Sequence, residues 1–154
     1  MPLIEQVQHD VNAALKAGER DRVHALRLIA SELQKAAKEA LQGDPSGATL
    51  REDDEVAVLQ RERKRRLEAA EAYREGGRQE AAAAEEREAE IIASYMPEQI
   101  SDEELGAIVG DAVAESGASS PQEMGKVMSL VMPKVKGRAD GKRVSAVVRE
   151  KLAS

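Results

Sequence analysis

Apolar residues recur every three or four positions along most of this 154-residue chain, and each run ends near a glycine or a proline. This spacing places them on one face of a helix, so it predicts amphipathic α-helices. Phe, Trp and Cys are absent and only two Tyr occur, so the core must consist of Leu, Ile, Val, Met and Ala. Such side chains suit helices that approach closely better than they suit a sheet. The predicted fold class is all-α.

The N-terminal residues predict a pair of helices. Apolar positions at residues 3–15 indicate a first helix that ends at Gly18, and a second helix runs over about residues 21–42. Residues 43–47 contain two glycines and a proline, which predicts a loop. No basic segment followed by a long apolar run occurs at the N-terminus, so neither a signal peptide nor a membrane span is expected.

A second helical pair should follow. Thr49 and Glu52 have the spacing of a capping box and predict the start of a third helix, which Gly76-Gly77 would end. A fourth helix is expected over about residues 78–95, antiparallel to the third. The residues predicted to form the apolar face of the third helix are Val56, Leu59, Leu67, Ala70 and Tyr73.

Three shorter helices are predicted after Pro97. Ser101 and Glu104 have capping-box spacing, as do Ser120 and Glu123 in a second helix, and each box would satisfy free N–H groups at a helix start. Asp140 is the predicted cap of the last helix.

The expected architecture is a multihelical N-terminal bundle of long helical hairpins, residues 1–96, followed by a three-helix C-terminal module, residues 97–154. Charge is distributed unevenly along the chain. Residues 1–118 contain 15 Lys and Arg against 26 Asp and Glu, whereas residues 119–154 contain 8 against 3. A basic end on an acidic chain indicates an oriented partner. The alternative is that basic residues lie near helix C-termini, where they interact favourably with the helix dipole.

The basic segment around residues 132–142 is the candidate site for a phosphate backbone. Gly137 and Gly141 would allow positive φ or close approach of a ligand, whereas Asp140 would already use some of the free N–H groups of the last helix. On the residues alone, a helix–turn–helix corner with a solvated basic rim is the preferred interpretation. The candidate RNA-binding residues are Lys126, Lys134, Lys136, Arg138, Lys142 and Arg143, and the candidate backbone residues are Gly125, Gly137, Asp140 and Gly141.

The kind of RNA is constrained by the aromatic content. Proteins that bind single strands stack bases on aromatic side chains, and neither Tyr73 nor Tyr95 is near the basic segment in sequence. Recognition of the shape and backbone of a folded RNA is the compatible mode. A second basic cluster within residues 61–66 contains Glu62 and is surrounded by further glutamates, so it is interpreted as a solvated, salt-bridged helix face, with an added RNA contact as the alternative. Its basic residues are Arg61, Arg63, Lys64, Arg65 and Arg66.

No catalytic residue, metal site or cofactor is predicted. His9 and His24 lie on separate predicted helices without the spacing of a zinc motif, and no nucleotide-binding loop or nucleophile motif occurs. The glutamates and aspartates are not expected to lie in apolar surroundings of the kind that tune catalytic carboxylates.

Segments 95–99, 117–120, 124–128 and 132–142 together resemble the YqeY family of small bacterial proteins. The C-terminal half is also similar to the tail domain of the GatB subunit of tRNA-dependent amidotransferase, a carbon–nitrogen ligase with glutamine as amido donor. In that enzyme the tail is associated with holding the tRNA. An alanine run at residues 81–84 departs from the family pattern. The positions that carry the similarity to the tail are Gly125, Met128, Gly137, Ala139 and Asp140.

The resemblance implies a non-catalytic tRNA-binding accessory of bacterial translation, located in the cytoplasm. Its implied partners are tRNA, amidotransferase subunits or an aminoacyl-tRNA synthetase, without a membrane. The alternative hypothesis is a protein–protein adaptor that uses the acidic helical hairpin and does not bind RNA. A third class, an independent carbon–nitrogen ligase, would require activity from this chain alone.

Overall fold

A computed structural model describes residues 1–43 and 50–153, and that part of the chain is helical without any strand, which confirms the all-α fold class. It divides into two compact units, Met1–Met96 and Pro97–Ser154. Short 3₁₀ turns at Pro121–Glu123 and Met132–Lys134 flank the sixth helix. The helices are α1 (Leu3–Ala17), α2 (Arg20–Gly43), α3 (Glu52–Glu75), α4 (Gln79–Ala93), α5 (Asp102–Ser116), α6 (Met124–Val131) and α7 (Gly141–Ala153).

The first unit consists of two helical hairpins, as predicted. α1 packs on α2, α3 packs on α4, and α2 also contacts both helices of the second hairpin. Gly18 ends α1 in the left-handed conformation with φ 74°, where its N–H reaches the last carbonyls of the helix. The apolar core of this unit consists of Val7, Ala14, Val23, Leu26, Ile29, Leu33, Val58, Leu59 and Ile92.

Small side chains line the hairpin of α3 and α4. Ala70 on α3 is buried, as are Ala82 and Ala89 on α4. The turn between the helices passes through Gly77, whose φ of 76° is strained for any residue with a Cβ. Ala82 belongs to the alanine run, and it is fully buried. Alanine here lets the two helix backbones approach closely, which explains the choice of residue.

The start of α3 and the end of α4 differ from the prediction. α3 begins at Glu52 with Arg51 in the cap position, so the predicted start at Thr49 was early. Thr49 itself and loop residues 44–47 lie outside the described residues. α4 ends at Ala93, and Tyr95 lies beyond it in a turn, where its hydroxyl donates to the Asp10 carboxylate on α1.

The predicted apolar face of α3 was partly wrong. Leu67 is 38% exposed, whereas Val58 and Glu62 are buried, at 4% and 1% exposure. The buried positions 58, 59, 62 and 70 share one helix face, and a charged residue occupies one of them. The prediction assigned only apolar residues to the core. It therefore included Leu67, omitted Glu62, and placed the core-facing side of α3 at the wrong angle around the helix axis.

The second unit is the three-helix module that the sequence predicts. Ser101 caps α5, since its Oγ accepts from the Glu104 N–H at 3.1 Å, and Ile100 and Leu105 are both buried beside this cap. Burial of each large apolar side chain contributes roughly 1.5–3 kcal/mol. The core of this unit consists of Ile100, Leu105, Val109, Ala112, Ala118, Val127, Val131, Val135, Ala139, Val144, Val148 and Leu152.

Among the described residues, no helix combines sufficient length with sufficient apolar character to cross a membrane.

Candidate nucleic-acid interface

The connection between α6 and α7 is a tight turn held by core residues at both ends. Val135 and Ala139 are buried, and the Val135 carbonyl accepts from the N–H groups of Arg138 and Ala139 at 2.8 and 3.2 Å. Gly137 between them has φ 77°, as predicted, and only glycine adopts this conformation without strain. Alternation of buried and exposed residues therefore places Lys134 and Lys136 on the outside of the turn.

The turn is joined to the segment that precedes α5. The Ile100 N–H donates to the Arg138 carbonyl at 2.9 Å, and the Gln99 Nε2 atom donates to the Gly137 carbonyl at 3.4 Å. The Arg138 Nε atom donates to the Glu98 carbonyl at 3.2 Å. Residues 98–100 and the turn thus hold each other in place, which the sequence did not predict because the partners are almost 40 residues apart.

Two of the predicted RNA-binding arginines are ion-paired with α5. Arg138 Nη1 and Nη2 lie 3.3 and 3.1 Å from the two carboxylate oxygens of Glu104, which makes a bidentate pair. Arg143 Nη2 lies 2.7 Å from Asp102 Oδ1. The sequence predicted that the Glu104 carboxylate completes a capping box with Ser101. That prediction was wrong, because the carboxylate contacts Arg138 in the turn. A carboxylate can make either contact, and the guanidinium is the stronger partner.

The start of α7 is capped as predicted. Asp140 Oδ1 accepts from the Arg143 N–H at 2.7 Å, and the Asp140 carbonyl accepts from Val144 N–H at 3.1 Å. Gly141 is the first residue of α7 and does not have positive φ, so that part of the expectation was wrong, and close approach of a ligand there stays a prediction. Gly125 lies within α6, where a Cβ would meet no atom within 4 Å. Neither glycine is required by the backbone.

The four predicted lysines have different surroundings. Lys126 Nζ lies 3.5 Å from Glu123 Oε1. That carboxylate also accepts from the Ser119 and Ser120 N–H groups at 2.6 and 3.2 Å, and these bonds lower the pKa of Glu123. Lys134, Lys136 and Lys142 are exposed, and neither Lys134 nor Lys142 is ion-paired within the described part of the chain. We call Lys134, Lys136 and Lys142 the exposed lysines.

The second basic cluster surrounds a buried carboxylate in the first unit. Glu62 is 1% exposed and its Oε1 lies 2.9 Å from Arg65 Nη1 and 3.8 Å from Arg61 Nε. Arg66 Nη2 lies 3.8 Å from Glu62 Oε2. The predicted salt bridges exist, but the face is not simply solvated, because their central acid is in the interior. Glu62 follows Leu59 by three residues and Val58 by four, and this spacing could have revealed that Glu62 lies on the core-facing side of α3.

Ion pairs extend this cluster to the neighbouring helices. Arg66 Nη1 lies 3.7 Å from Glu85 and 3.6 Å from Glu88 on α4, and Arg61 lies 3.6 Å from Glu32 on α2. His24 on α2 makes a 2.9 Å contact from Nδ1 to Glu88 Oε1. Arg61 and Arg66 thus each contact carboxylates on two helices, which favours a structural role for these two arginines over an RNA contact.

Two further ionisable groups were not anticipated. Glu55 accepts from the Leu3 N–H at 3.1 Å, and partial burial raises its pKa despite that bond. Burial and the bond to Asp10 raise the pKa of Tyr95. Within residues 1–43 and 50–153, no three His, Asp or Glu side chains are grouped as metal ligands would be.

A sequence profile of the family described as "Yqey-like protein" matches residues 4–152. The chain belongs to this family. The predicted resemblance to the YqeY family is therefore confirmed over both units of this Yqey-like protein. A comparison with curated proteins returned no match.

Proposed function

We propose that this Yqey-like protein is a non-catalytic RNA-binding accessory protein whose second unit contacts the phosphate backbone of a folded RNA, with tRNA as the candidate. The observation that carries the proposal is the placement of the exposed lysines. Lys134 and Lys136 lie on either side of Val135, in a connection whose backbone is held by the buried side chains of Val135 and Ala139, and Lys142 lies in the first turn of α7. A fixed backbone places these three cations within nine residues of one another.

The roles within the candidate set differ. The exposed lysines contact phosphates, since a lysine ammonium binds phosphate as a point charge. Arg138 and Arg143 join the turn and α7 to α5, so they position the lysines in the free protein. Lys126 is ion-paired with Glu123 at the start of α6, so it contributes less to phosphate binding than the exposed lysines do.

The sequence resemblance of the C-terminal half to the GatB tail is the reason for choosing tRNA as the candidate ligand, and an amidotransferase or an aminoacyl-tRNA synthetase as the candidate associated enzyme. Bacterial translation in the cytoplasm is the setting that this relationship implies. Recognition depends on shape and charge, because Tyr95, in the first unit, has its hydroxyl bound to Asp10 and Tyr73 lies under the Arg78 guanidinium, 5.0 Å from it.

The test is retardation of total tRNA by the full chain. Lys134→Ala/Lys142→Ala should reduce affinity by at least tenfold, since each lost phosphate contact removes roughly one counterion release. The matched control is Lys35→Ala/Lys38→Ala, which removes the same charge from an exposed face of α2. Equal loss in the two variants would show nonspecific attraction. Absence of tRNA binding by the wild type and by every variant would favour the adaptor hypothesis.

A further inference from the structure

Carboxylates from a single helical turn occupy two arginines beside the exposed lysines. Glu104 pairs with Arg138 through both oxygens, at 3.3 and 3.1 Å, and Asp102 pairs with Arg143 at 2.7 Å. Both acids lie in the first turn of α5. The donors that face them are the guanidinium edges that bind phosphate oxygens in nucleic-acid complexes. These carboxylates therefore occupy positions that RNA phosphates could take.

The ion pairs are accessible to a competing anion. The Asp102 side chain is 96% exposed and that of Glu104 is 49% exposed. Exposed pairs are well solvated and add little to folding stability, so they can separate without unfolding of the unit. A polyanion approaching the exposed lysines would arrive beside both pairs.

The arginines remain positioned when the carboxylates leave. Arg138 Nε still donates to the Glu98 carbonyl, and the Arg138 carbonyl still accepts from Ile100 N–H. The backbone of Arg143 is held by the Asp140 cap. Loss of the acid contacts would therefore free the Nη groups while the chain around them stays in place.

We propose that the first turn of α5 competes internally with RNA: Asp102 and Glu104 occupy Arg143 and Arg138 in the free protein, and phosphates replace them in the complex. The proposal rests on the RNA-binding function proposed above and specifies how that site is regulated. Each exchange breaks one carboxylate–guanidinium pair and forms one phosphate–guanidinium pair. The competition weakens binding to isolated or weakly charged phosphates and favours ligands that engage the lysines at the same time.

The experiment compares the tRNA affinity of two isosteric double variants of the full chain. Asp102→Asn/Glu104→Gln removes the competing charges and keeps hydrogen-bond acceptors. Glu103→Gln/Glu115→Gln removes two charges from the same helix at exposed positions that form no ion pair with any described residue. The first variant should bind tRNA roughly three- to tenfold more tightly than the second, the range expected from release of two exposed pairs. Equal affinities would overturn the proposal.

A double-mutant cycle separates direct competition from a general field effect. Asp102→Asn is measured alone and in an Arg143→Gln background, with Glu103→Gln as the single control. A gain in affinity that disappears without Arg143 supports the exchange, and a gain that persists contradicts it. Thermal melting by circular dichroism checks that each variant is folded. If the Asp102→Asn/Glu104→Gln variant does not fold, the double-mutant cycle of Asp102→Asn and Arg143→Gln tests the proposal by itself.

The two proposals fail in different ways. One outcome is that Lys134→Ala/Lys142→Ala loses affinity while the α5 variants gain none over their controls. That outcome contradicts the competition proposal and supports the RNA-binding proposal. Absence of tRNA binding by the wild type and all variants removes both. Binding by Asp102→Asn/Glu104→Gln alone, with none by the wild type or the control, supports strong competition.

Discussion

Oε1 of Glu62 lies 2.9 Å from Nη1 of Arg65, and this glutamate is 1% exposed while the arginine is 55% exposed. A buried acid is thus neutralised by arginines that reach it from the surface. Burial of a charge is unfavourable unless it is paired and hydrogen-bonded, so the pairs are required for the carboxylate to remain in the core of the first unit.

Substitution of Glu62 should destabilise the protein substantially. Glu62→Ala leaves a cavity and several arginines without their shared partner, so we expect a loss of about 2–3 kcal/mol, less than for a fully buried pair because the arginines can be resolvated. Urea unfolding followed by circular dichroism measures it. Glu68→Ala on the same helix is the control, since its pair with Lys64 is exposed and should contribute less than about 0.5 kcal/mol. Equal losses would mean that the burial of Glu62 has no energetic consequence.

Arg138 should contribute more to stability than the lysines around it. Arg138→Ala removes the bond to the Glu98 carbonyl and the bidentate pair with Glu104, and we expect a loss of about 1 kcal/mol after allowance for solvent screening. Lys134→Ala should change the free energy of unfolding by less than about 0.5 kcal/mol. Thermal melts of the two variants test this, and a wild-type midpoint for Arg138→Ala would show that the turn does not need its side chain.

Two glycines in the same unit should respond to alanine in opposite directions. Gly137→Ala forces a Cβ into the left-handed region and should cost about 1–2 kcal/mol. Gly125→Ala should stabilise by about 0.5–1 kcal/mol, because it lies in α6 and a Cβ there meets nothing within 4 Å. Differential scanning calorimetry distinguishes these signs. A stabilising Gly137→Ala would contradict the positive φ.

Substitution of Ser101 should show how much the N-terminal cap of α5 contributes to stability. Ser101→Ala removes the acceptor for the Glu104 N–H and should cost about 1 kcal/mol. Ser145→Ala is the control in α7, where the serine Oγ donates to the Lys142 carbonyl within the helix and alanine should be neutral or slightly stabilising. Denaturant unfolding of both variants is the measurement, and identical midpoints would argue against the assigned start of α5.

Glu55 should make stability depend on pH. Burial raises its pKa in the folded state, so the charged form is unfavourable there, and stability attributable to this group increases as pH falls through the folded pKa. Glu55→Gln keeps an acceptor for the Leu3 N–H and removes the charge. The variant should be more stable than the wild type at pH 7, and the difference should shrink on acidification. A difference that stays constant from pH 7 to well below the pKa would exclude the charge as the cause.

Binding of tRNA, which remains a prediction, should depend steeply on salt. With about three phosphate contacts from the exposed lysines, affinity should fall roughly 40-fold between about 50 and 200 mM salt. Fluorescence anisotropy of labelled tRNA measures the slope, which Lys142→Ala should reduce by about one unit. Affinity independent of salt would contradict backbone recognition.

Interactions between residues close in sequence were sufficient to predict the helices and several of their ends. Spacing of apolar residues predicts α1 to α7, because a helix places positions three and four apart on one face. Gly18, Gly77, Gly117 and Gly137 have positive φ at or near predicted helix ends, and Ser101 and Asp140 cap the helices that they precede. Each of these contacts spans at most five residues, so the sequence alone determines them.

The partners of charged residues were decided only by the tertiary structure. Glu104 has the spacing of a capping-box acid, yet it binds Arg138, 34 residues away, because the packing of α5 beside the turn brings a guanidinium within reach. Glu62 is a partial case: its charged neighbours indicate a solvated face and its spacing from Val58 and Leu59 indicates the core face, and the packing of α3 on α2 and α4 decides for the core. Helix formation depends on neighbours in sequence, whereas burial and ion pairing depend on which elements meet, and the folded chain determines the latter.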